Sequence, residues 1–141
     1  MPRSAAGAFV VALLGLAISA YLSVEHYTAS ATLACPDRGA INCLKVTTSS
    51  WSHVGAVPLA LAGAAYFLVM TVLCSPWLWR RTSLHPLRIA GATAGVVAAV
   101  YLVWVELFRV DAICLWCTAV HLCALLLLVL TLTAVTHRSQ R

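Results

Sequence analysis

The sequence predicts an all-α integral membrane protein, a single domain over residues 1–141. It is expected to form a four-transmembrane-helix bundle with a long extracytoplasmic loop between helices 1 and 2. Three observations lead there. Apolar residues make up 62% of the chain and charged residues 9%, whereas soluble domains carry about 25% charged residues. Four uncharged runs approach the roughly 20 residues a helix needs to cross about 30 Å of hydrocarbon. The basic residues behind the net charge of +5 sit in the gaps between those runs. They form no aromatic-interleaved patch, which argues against a nucleic-acid partner, and no linker, low-complexity tract or convincing repeat divides the chain.

The first run covers residues 5–24 and the second 55–74. The third covers 89–105, extended through Glu106 to residue 108, and the fourth covers 113–135, interrupted by His121. Helices are expected because lipid leaves every backbone polar group to be satisfied within the segment, and no ten-residue alternating strands are present. Between them lie a loop at 25–54, a basic loop at 75–88 and a short turn at 109–112. The start "MPR" plus an apolar core also resembles a signal peptide, with "TASATLA" as a cleavage site. The run is longer than the 7–15 apolar residues usual for such a peptide, which favours a retained helix.

Lys and Arg set the orientation. With four spans, Arg3, Arg80, Arg81, Arg88, Arg138 and Arg141 share one side, against Arg38, Lys45 and Arg109 on the other. That bias puts both termini in the cytoplasm. Trp77 and Trp79 then mark the inner interface, and Trp51, Trp104 and Trp116 the outer one.

On this map Cys35 and Cys43 fall in the long outer loop, and Cys114 and Cys117 at the outer start of helix 4. Four thiols therefore meet on the oxidising face. Cys74, at the cytoplasmic end of helix 2, and Cys123, inside helix 4, read as small buried hydrophobes. A helix N-terminus stabilises a thiolate, so Cys114 is expected to be the exchanging thiol, with Asp111 as the helix cap. Cys117 lies deeper, and His121 follows four residues later on the same face. A donor there suits a quinone carbonyl, and a helix-packing hydrogen bond accounts for it equally well. Zinc is disfavoured, because the second pair is C-x7-C and the compartment favours disulfides; no metal site is expected. A static pair of structural disulfides remains a competing reading. Glu106, near the outer end of helix 3, either snorkels or contacts a ligand. Gly91 and Gly95 form a G-x-x-x-G that serves packing or dimerisation.

Four stretches, in order, resemble bacterial members of the vitamin K epoxide reductase family. They are "LGLAISAYLSVEHY", the C-x7-C followed by "VTTSSW", "VPLALAG", and "VYLVWVELFRVDAICLWC". The resemblance implies a four-helix bundle around a quinone, with the C-x-x-C at its mouth. It implies that Cys35 and Cys43 are shuttle cysteines and that Cys114 and Cys117 are the active-site pair. In that scheme a reduced thioredoxin-fold partner attacks Cys35, Cys43 exchanges with Cys114, and Cys117 passes electrons to the quinone. Ser49 matches the loop serine near the active-site cysteines, with Ser50 beside it. Two departures argue against the epoxide as substrate: His121 stands where animal enzymes carry tyrosine, and Leu59 lies near an asparagine position. Many bacterial relatives carry a fused thioredoxin-like domain after helix 4. This chain stops at Arg141, so its partner is expected to be a separate protein.

The function expected is that of a thiol:quinone oxidoreductase in the bacterial inner (cytoplasmic) membrane. It would reoxidise a DsbA-like protein using ubiquinone or menaquinone. The direction fits, because thiol couples lie at about −270 to −120 mV and an oxidising donor needs a higher-potential sink. The alternatives are a thiol-driven quinone or vitamin K (epoxide) reductase, and a non-catalytic disulfide-stapled membrane subunit.

Overall fold

A computed structural model describes residues 2–28, 34–35 and 38–139. Arg141, the side chain of Arg138 and most of the "TASATLA" stretch lie outside the described residues. Helix α1 spans Arg3–Thr28. A short helix α2 (Cys43–Thr47) follows, then a 3-10 turn (Ser50–Ser52) and a two-stranded hairpin, β1 (His53–Val54) and β2 (Val57–Pro58). Helix α3 (Leu59–Cys74), the single turn α4 (Pro76–Trp79) and a 3-10 turn (Thr82–Leu84) lead into α5 (His85–Val105). Helix α5 widens into a π-turn at Glu106–Val110, and α6 (Leu115–Ser139) completes the described chain.

Helix α1 is the centre of the packing, lying between α3 and α6, and α5 packs on α6 and touches α3. Its sequence explains that place. The buried positions Ala5, Ala8, Ala12, Gly15, Ser19 and Leu22 recur every three or four residues and are almost all small. A stripe of small side chains lets neighbouring helices approach closely. At Gly15 the approach is so tight that a β-carbon would overlap the Phe67 ring of α3. Large apolar side chains such as Leu14, Leu68, Val97 and Val100 point outward instead. That is the inverse of a soluble bundle, and it suits a lipid surround.

Among the described residues, three helical segments are long and apolar enough to cross a membrane: Arg3–Thr28, Thr82–Val110 and Leu115–His137. Helix α3 is apolar but has only 16 residues, about 24 Å of helix, against about 30 Å of hydrocarbon. It starts later than the sequence suggests because residues 53–58 form the hairpin. Gly55 turns the corner there at φ +63, a conformation glycine adopts without steric cost.

Two expectations change around the start of α5. Arg88 is no loop charge: it is fully buried on α5. Its guanidinium donates to the carbonyls of Leu73 (2.7 Å), Leu78 (2.6 Å) and Arg81 (3.3 Å). It also lies 4.6 Å from the centre of the Trp79 ring. The Leu73 carbonyl sits at the end of α3, where a helix leaves its last carbonyls without intrahelical donors, and those of Leu78 and Arg81 also accept the backbone N–H of Arg81 and Leu84. Trp79, expected at the inner interface, is buried for the same reason, whereas Trp77 is exposed. The G-x-x-x-G faces inward: Gly95 lies against the Tyr66 hydroxyl, which donates to the Gly91 carbonyl at 3.2 Å. Packing within one bundle accounts for both glycines.

Candidate active site

The C-x-x-C is built by the break between α5 and α6. The π-turn at Glu106–Val110 ends on Asp111, which sits in the left-handed region at φ 52, a conformation aspartate tolerates better than most residues. Asp111 therefore closes the preceding helix, and the expected cap on α6 falls to Cys114 itself. The Cys114 carbonyl accepts the Thr118 N–H at 2.9 Å, and its sulfur accepts the Cys117 N–H at 3.2 Å. This is how serine or threonine caps a helix, with sulfur in place of oxygen. Cys114 is fully buried and is a free thiol, as is the half-buried Cys117. The hydrogen bond from the Cys117 thiol, reinforced by the Cys117 N–H, holds the Cys114 thiol below its ordinary pKa against the opposing effect of burial. Thiolate character at a helix N-terminus follows the same logic.

Glu106, whose role the sequence leaves open, points inward. It is 6% exposed, and its Oε2 accepts the backbone N–H of Cys114 at 3.3 Å. Arg109, one turn on, lays its guanidinium over Trp51 and Trp104 instead, 4.9 and 5.9 Å from their ring centres. One signal pointed here: Glu106 is one of four acidic residues in the chain and interrupts an apolar run, a placement that by default marks function.

The loop cysteines are joined, Cys35 to Cys43, with Cα atoms 6.1 Å apart. Their segment is fastened to the C-x-x-C by backbone pairing that the sequence did not reveal. Ile113 N–H donates to the Ala40 carbonyl at 2.8 Å, and Asn42 N–H donates to the Ile113 carbonyl at 3.1 Å. Asn42 immediately precedes Cys43, and Ile113 immediately precedes Cys114. Asn42 also caps α2, its side chain accepting the Lys45 N–H at 2.8 Å, so Cys43 begins a helix and is buried. The Trp116 indole donates to the Ala34 carbonyl at 3.1 Å and packs on Tyr21. The loop pair is thereby held from both sides against the start of α6.

Below the C-x-x-C lies an apolar cavity enclosing about 800 Å³, including its open mouth. Cys117, Glu106, His121, Ser49 and Leu59 line it, together with His26 and Trp51. The Nδ1 atom of His121 is buried with no hydrogen-bond partner among the described residues. A buried polar atom costs free energy until a partner arrives. The Ser49 hydroxyl donates to the Val46 carbonyl at 2.8 Å, which leaves its oxygen able to accept. Ser50 is exposed and does not line the cavity. Apolar walls with a few convergent polar groups are what a flat, lipid-soluble carbonyl compound requires. The residues present therefore fit a quinone: His121 and Ser49 at its polar edge, and Cys117 at the wall. Cys74 and Cys123 are buried in the core cluster with Phe67 and Leu127 and do not line the cavity.

A search of curated proteins finds no match. The family model described as "Vitamin K epoxide reductase family" matches residues 7–132. That match covers most of the 141-residue chain. The C-x-x-C above its cavity, the loop disulfide fastened beside it and most of the apolar helices fall within the matched residues, and the chain belongs to the vitamin K epoxide reductase family.

Proposed function

We propose that the chain is a membrane thiol:quinone oxidoreductase that reoxidises a separate, extracytoplasmic thioredoxin-fold protein of the DsbA type. The observation that carries this reading is the seating of the loop pair: backbone pairing joins residues 40–42 to Ile113, one residue from Cys43 and one from Cys114. Cys117, in turn, lines the apolar cavity. A path for electrons thus runs from the exposed loop to a lipid-accessible pocket.

The reaction starts when a partner thiolate attacks Cys35 of the loop disulfide. The partner's second thiol resolves the mixed disulfide, leaving the partner oxidised and Cys35 and Cys43 reduced. Cys43 then attacks Cys114 of the Cys114–Cys117 disulfide, and Cys35 closes on Cys43. This re-forms the loop bond and leaves Cys114 and Cys117 as thiols. The pairing found here, loop bonded and C-x-x-C free, corresponds to that stage. Thiol–disulfide exchange passes through such mixed disulfides, and a low leaving-thiol pKa speeds each transfer, which gives the lowered Cys114 pKa a purpose. A bound ubiquinone or menaquinone supplies a two-electron, two-proton acceptor. His121 and Ser49 orient it, and the apolar walls exclude water.

The same reading places α3 as a fourth span, the inner end of the bundle at Arg88 in the bacterial cytoplasm, and the cysteines outside. Alkaline phosphatase fused after residue 141 is expected to stay inactive, and fused within residues 25–54 to be active; the reverse pattern contradicts this orientation. The activity itself is tested with purified protein, a reduced thioredoxin-fold partner and a soluble quinone. Quinol formation is expected. Reduction of neither a ubiquinone nor a menaquinone analogue contradicts the proposal, and turnover of vitamin K epoxide in their place would reassign the substrate.

A further inference from the structure

We infer that Glu106 is the proton carrier of the C-x-x-C, accepting the proton released as the dithiol is oxidised and passing it into the cavity. This rests on the thiol:quinone reading for the destination of the proton, but the first half concerns the cysteines alone. The chemistry requires such a group. When Cys114 and Cys117 form their disulfide, one S–S bond is made and two S–H bonds are broken. Two electrons and two protons leave, and conversion of a quinone to its quinol takes up the same number. The electrons reach the acceptor through Cys117, but the protons have to cross an apolar, poorly hydrated space.

Glu106 stands at the start of that path. Its carboxylate is hydrogen-bonded to the N–H of Cys114, and it lines the same cavity as Cys117 and His121. The π-turn places it there: its carbonyl accepts the N–H of Asp111 and of Ala112, so the chain reverses around it and brings Cys114 back to its side chain. Such local widening of a helix is frequent at functional sites.

A structural role alone explains the residue poorly. A carboxylate beside a thiol that has to ionise opposes the thiolate, and burying it is costly. An amide side chain would accept the Cys114 N–H without either penalty. A carboxylate is favoured where the group has to take and release a proton. Among the cavity-lining residues, the other groups able to do so are His26, Cys117 and His121. Of these residues it is Glu106 whose side chain is bonded to the Cys114 backbone. His121, with its free Nδ1, is suited to the quinone side of the transfer.

The test compares wild type with Glu106→Gln and Glu106→Asp in two measurements. The first needs no quinone: infrared difference spectra are taken as the C-x-x-C is cycled between dithiol and disulfide. On oxidation, wild type is expected to gain a carboxylic C=O band with matching loss of a carboxylate band. Glu106→Gln is expected to show neither, and Glu106→Asp to show the pair again. The second is steady-state quinone reduction, where Glu106→Gln is expected to lower kcat about 100-fold, the scale of lost acid–base catalysis, with KM little changed. Glu106→Asp is expected to regain part of the rate. Full kcat in Glu106→Gln overturns the inference, as does a wild-type spectrum without the protonation bands, which stays decisive even if the glutamine variant fails to fold. Wild type that shows the bands yet reduces no quinone leaves the proton carrier standing and overturns the acceptor reading instead.

Discussion

Helix α5 carries a buried charge at each end, and the two are treated in opposite ways. Arg88, at the N-terminal end, spends its donors on three carbonyls and rests on Trp79. Glu106, in the π-turn at the C-terminal end, accepts a backbone N–H from Cys114 and borders an open cavity. A buried charge whose donors are engaged fixes structure, since its loss takes a partner from several main-chain groups at once. One that borders a cavity beside free thiols has capacity left for chemistry. The bundle is thus locked at one end and reactive at the other, and the large effects on activity and on stability should separate along α5.

The sharpest way to break this comparison is at the C-x-x-C end. Replacing Cys114 or Cys117 by alanine is expected to abolish quinone reduction with every donor, as measured by quinol formation, while the protein still folds. Replacing Cys35 and Cys43 together is expected to abolish only the reaction fed by the protein partner, leaving turnover with a small dithiol. A disulfide-stapled structural subunit predicts the opposite, a common loss of stability with no dependence on donor.

At the Arg88 end, Arg88→Ala is expected to cost stability rather than chemistry. It takes the side-chain donor from the Leu73 carbonyl and one of the donors from those of Leu78 and Arg81, at about 1–3 kcal/mol for an orphaned group. A loss of about 1–3 kcal/mol is expected in detergent unfolding, with turnover per folded molecule nearly unchanged. Arg88→Lys should recover only part, because an ammonium cannot reproduce the planar fork. Unfolding at wild-type denaturant concentration would remove Arg88 from its structural role.

A smaller effect concerns pH. The bond from the Cys117 thiol favours the thiolate of Cys114, so its alkylation rate should rise with pH through a midpoint below the ordinary thiol range. Cys117→Ala should move that midpoint upward. The smallest effects belong to Cys74→Ala and Cys123→Ala, which are expected to keep turnover and lose about 1 kcal/mol through small voids. Loss of turnover comparable to Cys117→Ala would place a redox role in the core.

What the sequence conveyed follows from how each feature is encoded. The apolar runs of α1, α5 and α6 are legible because lipid crossing is a property of length and composition. The C-x-x-C is legible because its spacing and position are local. Arg88 misled because charge counting treats every arginine near a span as solvated, and the carbonyls that bury it come from α3, α4 and the turn that follows. Asp111 misled because its left-handed backbone closes the π-turn instead of opening α6. The orientation of Glu106 was hidden for the same reason, since a π-turn shifts the helical register that a sequence pattern assumes. The pairing of residues 40–42 with Ile113 is a long-range contact of two short segments, with no periodicity to announce it.

The central claim is that electrons pass from the loop pair to the C-x-x-C through Cys43 and Cys114. It is tested most directly by mass spectrometry of thiol-blocked Cys117→Ala protein taken during turnover with a reduced partner. Without Cys117, the Cys114 thiolate has no neighbour to pair with, so it attacks Cys43 of the loop disulfide, releasing Cys35 as the thiolate and forming the same bond through which the relay passes. The account predicts accumulation of a Cys43–Cys114 disulfide. Finding the Cys35–Cys43 bond intact throughout, with Cys114 always free, would contradict it.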